Sequence, residues 1–302
     1  MNNTISIVTP TFGMAEYLQC AIDSVLSQEC AQCDYLVADG GSSDGTVELL
    51  RSFNGRLRWR SEKDGGAAAA LQRAFQEAQG SILTWLNADD VLLPGTLAQV
   101  TQAFERYPDA VAVYSGASWV DQNLQLIRPY PVIADAARHL SEECLICQPA
   151  CFFRADAYRA CGGIDPHLQS AFDYDLWIRL SRLGRMVYVP GEWALSRMHS
   201  ANKSLGQRQQ AFQEGEQVLL RHFEYVPFSW IYSRRVNKLD GRDQFFEPLE
   251  PSLYAYLACL PEGLTKNSRH PVRFLQDWAA QISWRAAGRM LGLKGPGLKG
   301  RS

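Results

Sequence analysis

The sequence predicts an α/β fold, a doubly wound and mainly parallel sheet, on three observations. Strand-like and helix-like segments alternate from Ile5 to Tyr114, which demands crossover connections. The strand-like segments run straight into loops of small and acidic residues, among them Asp39-Gly40-Gly41 and Asn87-Ala88-Asp89-Asp90. The chain has 302 residues, enough for one large core plus an appendage.

The elements follow in order. Ile5 to Thr9 is a strand-like, β-branched run stopped by Pro10. Tyr17, Leu18, Ala21, Ile22, Val25 and Leu26 then recur at helical spacing and give one buried face. Tyr35 to Ala38 is the second strand, and Asp39 to Thr46 is a sharp turn that caps a helix through Val47 to Leu50. Leu57 to Ser61 reads as the third strand, and after the loop Glu62 to Gly66 the stretch Ala67 to Gln79 is a helix stopped by Gly80. Ile82 to Leu86 is the fourth strand. Pro94-Gly95-Thr96 opens a helix that runs to Tyr107, because Pro108 forbids continuation, and Val111 to Tyr114 resumes strand character. From about Val120 to Ser204 the alternation is lost, and this section supplies the other wall of a cleft. Within it Phe172 to Leu180 is a helix with an acidic start, with Leu176, Leu180 and Leu183 along one face. From Gln207 the chain is mostly helical and aromatic. Two domains are expected, 1–205 for the α/β unit and 206–302 for a helical extension.

Composition narrows the function. The formal net charge is −2, so no basic field recommends nucleic acid as a ligand. No apolar run approaches the ~20 residues a spanning helix needs, and the first residues lack a basic n-region, so a cytoplasmic protein is expected. The eight cysteines include Cys30-x-x-Cys33 and Cys144-x-x-Cys147. No Cys/His knuckle supports either pair as a zinc site, and Cys20, Cys151, Cys161 and Cys259 read as small buried hydrophobes. The tail from His270 to Ser302 interleaves Arg273, Arg285, Arg289, Lys294, Lys299 and Arg301 with Phe274, Trp278, Ile282, Trp284, Met290 and Leu291. It is either a packed helix with snorkelling basic residues or a peripheral contact with an anionic membrane.

In open parallel sheets ligands bind outside the carboxyl ends of the strands, so Asp39, Asp64, Asp89 and Asp90 converge. Acidic groups crowded at one rim repel one another unless a cation or a hydrogen-bonding ligand occupies the space. Each also has a plainer role: Asp39 and Asp44 suit turns, Asp89 and Asp90 suit a helix cap, and Asp175 suits an i,i+4 pair with Arg179 at the helix surface.

The ordered set Val8-Thr9-Pro10-Thr11-Phe12, Asp39 to Thr46, Trp85 to Asp90 and Asp173-Tyr174-Asp175-Leu176-Trp177 resembles the family-two glycosyltransferases over the first two thirds of the chain. The resemblance implies a GT-A fold and an inverting, metal-dependent transferase. It implies a donor that is a nucleotide diphosphate sugar and an acceptor that is a glycan or lipid-linked glycan, as in surface polysaccharide assembly. Carried over by position, it puts Pro10, Thr11, Phe12, Asp39 and Asp64 around the nucleoside. Asp89 and Asp90 take the DXD-type position, one carboxylate on the ribose and the other on Mg²⁺ or Mn²⁺ bridging the phosphates; Asn87 stands where many relatives have the first Asp. Asp173 matches the catalytic base, Gln148 the sugar or acceptor pocket, and His199 a side chain that returns to the metal or diphosphate. Three positions depart from the pattern: Phe172 replaces a common Glu, and Ala68 and Gln72 replace a frequent Asp and Asn.

The chemistry suits these residues. Transfer with inversion needs a base on the acceptor hydroxyl and stabilisation of the departing diphosphate, and Mg²⁺ or Mn²⁺ is satisfied by one or two protein carboxylates plus water and phosphate oxygens. Two other functions share parts of this pattern. A silent nucleotide-sugar-binding scaffold fits the departures at Ala68 and Gln72 but leaves Asp89, Asp90 and Asp173 without a purpose. A sugar nucleotidyltransferase needs a basic, glycine-rich loop after the first strand, and Pro10 to Glu16 contains no Lys or Arg.

Overall fold

The structure, a computed structural model, describes residues 4–28, 33–53, 55–199, 202, 206–240 and 252–281. They fall into two compact units divided after Gly206.

The first unit is built on a nine-stranded sheet. Its strands are β1 (Ile5–Thr11), β2 (Cys33–Asp39), β3 (Arg58–Ser61), β4 (Ile82–Trp85), β5 (Val91–Leu92), β6 (Ala110–Val120), β7 (Leu126–Pro129), β8 (Cys151–Arg154) and β9 (Arg185–Arg197). The order is β3-β2-β1-β4-β8-β6-β9-β5, with β7 beside β6. The half from β3 to β4 is parallel, as the alternation predicts. Beyond β4 the sheet is mixed, since β8 runs antiparallel to both of its neighbours and β5 antiparallel to β9. The helices α1 (Ala15–Leu26), α2 (Thr46–Ser52) and α3 (Ala67–Glu77) supply the crossovers of the parallel half, α4 (Thr96–Arg106) joins β5 to β6, and α5 (Ala155–Ala160) and α6 (Phe172–Leu183) follow in the mixed half.

Every residue of β1 is buried, which fits a central strand whose two faces are both covered. In α1 the buried residues are Leu18, Ala21, Ile22 and Val25, while Tyr17 at the head of that stripe is only half-buried. The expectation for α6 needs correction: Leu183 is 48% exposed, while the buried residues, Phe172, Tyr174 to Ile178 and Leu180, run round the helix rather than along one face. A helix inserted between layers has no single polar face. Gln72, one of the departures from the family pattern, uses its side chain to tie α3 to the Ile164 carbonyl at 3.3 Å, and Ala68 is buried.

The second unit, over its described residues, consists of α7 (Arg208–Phe223), α8 (Phe228–Asp240), α9 (Leu253–Lys266) and α10 (Pro271–Ala280). Its interior mixes aromatic packing with charge. Arg234 donates to Glu216 at 2.7 Å and to Glu262, Arg235 reaches Glu262 at 2.6 Å, and Lys266 reaches Glu216 at 2.9 Å. Asn267, fully buried, exchanges two hydrogen bonds with the backbone of Val226 and so satisfies both polar groups of that buried loop residue. No helix among the described residues is long and apolar enough to cross a membrane. Of the basic and aromatic tail, Arg273, Phe274 and Trp278 are described, and Ile282 to Arg301 lie outside the described residues. Cys30 does too; the described cysteines are free thiols.

Candidate active site

The carboxyl ends of β1 and β2 are joined by side chains from the turn after β2. Asp39, 1% exposed, accepts the backbone N–H of Ser42 at 3.1 Å and the hydroxyls of Ser42 and Ser61, both at 2.5 Å. Ser42 Oγ in turn accepts the N–H of Gly13 at 2.8 Å, so the two loops hold one another. Asp44 spans the same gap: its carboxylate accepts from Ala15 N at 3.0 Å and from the Thr46 hydroxyl at 2.6 Å. What burial it has pushes Asp44 up, but these donors outweigh it and hold the carboxyl below its usual range. Asp39 and Asp44 therefore do act as turn organisers, and Asp39 uses both oxygens in doing so.

Three predicted residues lie at the end of β1 beside this turn. Pro10 is buried, Thr11 is 6% exposed with its Oγ1 buried and without a hydrogen-bond partner, and Phe12 is 69% exposed. An orphan hydroxyl at a strand end is costly unless something binds there. Asp64 is exposed across from them. Its Oδ1 accepts the Gly66 N–H at 2.8 Å, and its carboxylate lies over Gly40, where an added Cβ would meet Oδ2 at 3.2 Å. Gly66 itself sits at φ +99°, and a Cβ there would come within 2.8 Å of Gln169 Oε1.

The rim is densest after β4. The short strand β5 pairs with β9 in the register Val91↔Leu195, and that pairing carries the end of β9 back across the acidic loop. His199 Nε2 thereby lies 3.0 Å from Asp89 Oδ2, although 110 residues separate them in the chain. Adjacent residues point to opposite sides here. Asp90, 4% exposed, turns inward: Oδ1 accepts the Arg197 N–H at 3.0 Å and Oδ2 the Asn87 amide at 3.0 Å. Burial, and next the charge of Asp89, push the Asp90 carboxyl well up from the carboxylate range. Gln148 completes this cluster. It donates to the Trp85 carbonyl at 2.7 Å and accepts from the same Asn87 amide at 3.1 Å.

Asp173 opens α6 in a half-buried position, where it accepts the N–H of Tyr174 at 2.7 Å. Burial pushes it up to about 6. Phe172, in place of an acid, rests its ring 5.8 Å from that of Trp85 and helps to keep the region apolar. The buried Cys147 thiol is raised well above its ordinary value, by burial first and then by Asp90 among its charged neighbours; the Phe172–Trp85 contact brings the start of α6 to the end of β4. Asp175 does pair with Arg179, at 2.6 Å. The expected surface position is wrong, however: the Asp175 side chain is 1% exposed, and Arg179 also donates to the Cys161 carbonyl.

Whether these residues suit a divalent cation turns on Asp89 and His199. A carboxylate oxygen and an imidazole nitrogen 3.0 Å apart are spaced like neighbouring corners of an octahedron with bonds of about 2.1 Å. The pair fits. Asp90 in this orientation has an internal donor on each oxygen and would meet a cation only through a remaining lone pair. Among the described residues no three His, Cys, Asp or Glu cluster as a metal-holding group, so at this rim water and ligand oxygens have to fill the rest of a cation's shell. Sequence reasoning missed Tyr17 and Arg197, which pack on His199 and Asp89. Their only signal was proximity to motif residues.

The chain is similar to known proteins in sequence and in fold. The family model described as Glycosyl transferase family 2 matches residues 6–160. An uncharacterized glycosyltransferase of Rickettsia prowazekii is 25% identical over 214 residues, 65% of this chain and 64% of the relative. Chondroitin synthase of Pasteurella multocida is 26% identical over 188 residues, 61% of this chain and 20% of the synthase. The chain thus spans less than two thirds of the length of either relative. Among solved structures, S. aureus TarS in complex with UDP-GlcNAc superposes with a TM-score of 0.62 at 13% identity, covering 96% of this chain and 89% of TarS. The mannosyltransferase PcManGT from Pyrobaculum calidifontis, in complex with GDP-Man and Mn²⁺, gives 0.55 at 18%, covering 95% and 78%. The fold is GT-A.

Proposed function

The chain belongs to glycosyl transferase family 2, and we propose that it transfers a sugar, with inversion, from a nucleotide diphosphate sugar to a glycan or lipid-linked acceptor in polysaccharide biosynthesis. The observation that carries this reading is the meeting of Asp89 and His199 at the carboxyl rim of the sheet, where Phe172 also packs the start of α6 on Trp85. A divalent cation held there by Asp89 and His199, Mg²⁺ or Mn²⁺, would neutralise charge developing on the departing diphosphate.

The chain's own groups do the rest. Thr11 offers its unpartnered hydroxyl, and Phe12 an exposed ring, to the nucleoside. Asp64 contributes an exposed carboxylate to the same wall. Asp39 holds the turn that shapes this wall; its remaining lone pairs are its means of meeting a base directly. Asp90 keeps the loop of Asp89 in place from within, through Arg197 and Asn87, and Gln148 fixes the sugar side through Trp85 and Asn87. Asp173 takes the proton from the acceptor hydroxyl. A carboxyl raised to about 6 is ionised at neutral pH yet a stronger base than a solvated one.

A cytoplasmic site of action accords with such a donor. Contact with a membrane through the C-terminal tail remains a proposal for residues 270–302. The test of the reading is turnover. The full chain with Mn²⁺ is incubated with UDP-, GDP- and dTDP-sugars, and release of the nucleotide diphosphate is followed. Release from one donor supports a transferase, whereas tight binding of a donor with no release under any acceptor tried would favour the silent scaffold.

A further inference from the structure

We propose that Tyr17 and Arg197 are positioning residues that fix His199 and the Asp89 loop in register with each other for a divalent cation; this rests on the ligand assignment made above. Four contacts converge on Arg197. Its backbone N–H donates to Asp90 Oδ1 at 3.0 Å, and its Nε donates to the Asp89 carbonyl at 2.8 Å. Its Nη1 donates to the carbonyl of Gln122, and its guanidinium lies over the Tyr17 ring, 4.8 Å from the centroid. One side chain, 5% exposed, thus clamps the loop that carries Asp89. Tyr17 then couples the clamp to the second ligand, since its ring centroid is 4.6 Å from that of His199 at a tilt of 38°. Asn202 secures the backbone around His199, donating its amide to the Arg197 carbonyl at 2.9 Å and its N–H to the His199 carbonyl at 3.1 Å.

The physical need is clear. A site with only two protein donors cannot enforce their relative placement through a full coordination shell, so the placement has to come from what packs behind them. An imidazole with no wall beside it samples several χ1 and χ2 rotamers, few of which face Asp89. The Tyr17 ring removes that freedom on one side, and the helix that bears it is held in turn by Asp44 at Ala15 N. The hydroxyl of Tyr17 is not required by this argument. Its aromatic ring is.

The test is a titration of the full chain with Mn²⁺ alone, following the free ion by electron paramagnetic resonance. Tyr17→Phe keeps the ring and is expected to bind Mn²⁺ within about twofold of wild type, while Tyr17→Leu is expected to bind about tenfold more weakly, the effect typical of losing a supporting group behind a ligand. His199→Ala is expected to lose more than Tyr17→Leu. Rescue by Phe but not Leu at unchanged metal-free melting temperature supports positioning rather than general packing. If Tyr17→Leu melts lower without metal, Tyr17→Met, which keeps apolar contact without the ring, repeats the comparison. Wild-type Mn²⁺ affinity in a folded Tyr17→Leu or Tyr17→Met, alongside loss in His199→Ala, overturns the positioning role alone. Undiminished Mn²⁺ binding in His199→Ala overturns the ligand assignment, and the positioning role with it.

Discussion

The rim of the sheet and the interior of the helical unit both gather carboxylates, and they treat them in opposite ways. In the helical unit Glu216 and Glu262 are matched by Arg234, Arg235 and Lys266, with most contacts at 2.6 to 2.9 Å. At the rim, among the described residues, no Lys or Arg side chain forms an ion pair with Asp89, Asp90 or Asp173; their partners are an imidazole, amides and backbone N–H groups. Balanced charge in a buried place fixes how helices pack, whereas unbalanced charge costs stability and is retained where a ligand or a proton is to be handled. The contrast extends to proton affinity: burial raises Asp173 to about 6, and Asp90 is raised as well.

The largest effect that would break this comparison is at Asp173. Asp173→Asn is expected to lower kcat by ~10²–10⁴ while leaving donor binding intact, because a positioned base is worth about that much. In wild type, kcat should fall as the pH drops through about 6, the value to which burial raises the group. Stability moves the other way. A carboxyl raised from 3.8 to about 6 on folding contributes stability that is fully present below the unfolded value and is lost as pH rises through the folded one. Asp173→Asn should therefore be more stable than wild type at pH 7.5, by on the order of 2 kcal/mol, and no more stable at pH 4. Chemical denaturation at the two pH values checks this. A loss of stability at pH 7.5 would mean that the rim pays nothing for its charge.

The helical unit should respond in the opposite sense. Arg234→Met leaves Glu216, 3% exposed, with Lys266 as its remaining cation. Breaking one arm of a buried ion network is expected to cost about 2–3 kcal/mol, measured by urea unfolding, with a little spared by Lys266. Asp175→Asn belongs with it although it lies only two residues from Asp173. Its partner Arg179 is 19% exposed and its own side chain 1%, so the loss is expected at about 2 kcal/mol rather than the few tenths of an exposed pair. Sugar transfer by the folded variant should stay near wild type. If Asp175→Asn were inactive at full stability, the division between building and working carboxylates would fail within a single helix.

That division was only partly legible in the sequence. The βα alternation gave β1 to β4 and their parallel order, because each crossover leaves a local trace in periodicity. The antiparallel insertion of β8 and the pairing of β5 with β9 left none, since a two-residue strand has no period and its partner lies about a hundred residues away. For the same reason Asp89, Asp90, Asp173 and His199 were legible as candidates through their motifs, but the inward turn of Asp90 was not. Which of two neighbouring acids faces inward is decided by the Arg197 backbone arriving from β9. The Asp175–Arg179 spacing announced the pair, yet its burial depended on layers that helical periodicity does not report. Tyr17 read as one more member of an apolar stripe, and only packing shows it between a guanidinium and an imidazole.

The smallest effect sharpens the comparison most, because it uses two aromatic rings that water sees equally. Phe12, at the rim, is 69% exposed, and Tyr254, in the helical unit, is 68% exposed. Neither buries enough area to matter for folding, so Phe12→Ser and Tyr254→Ser should each change stability by less than about 0.5 kcal/mol. Their exposure has different meanings if the rim is the nucleoside wall. Stacking of a base on an aromatic ring is worth about 1–3 kcal/mol, so Phe12→Ser is expected to weaken binding of the preferred nucleoside diphosphate by about tenfold in calorimetry with Mn²⁺ present. Tyr254→Ser should leave that affinity unchanged. Because the Thr11 hydroxyl and the turn held by Asp39 remain in Phe12→Ser, binding should be reduced rather than abolished, and the loss should be similar for the diphosphate and for the whole donor. A loss confined to the whole donor would move Phe12 from the nucleoside to the sugar side of the cleft, and equal affinities in all three proteins would remove it from the site.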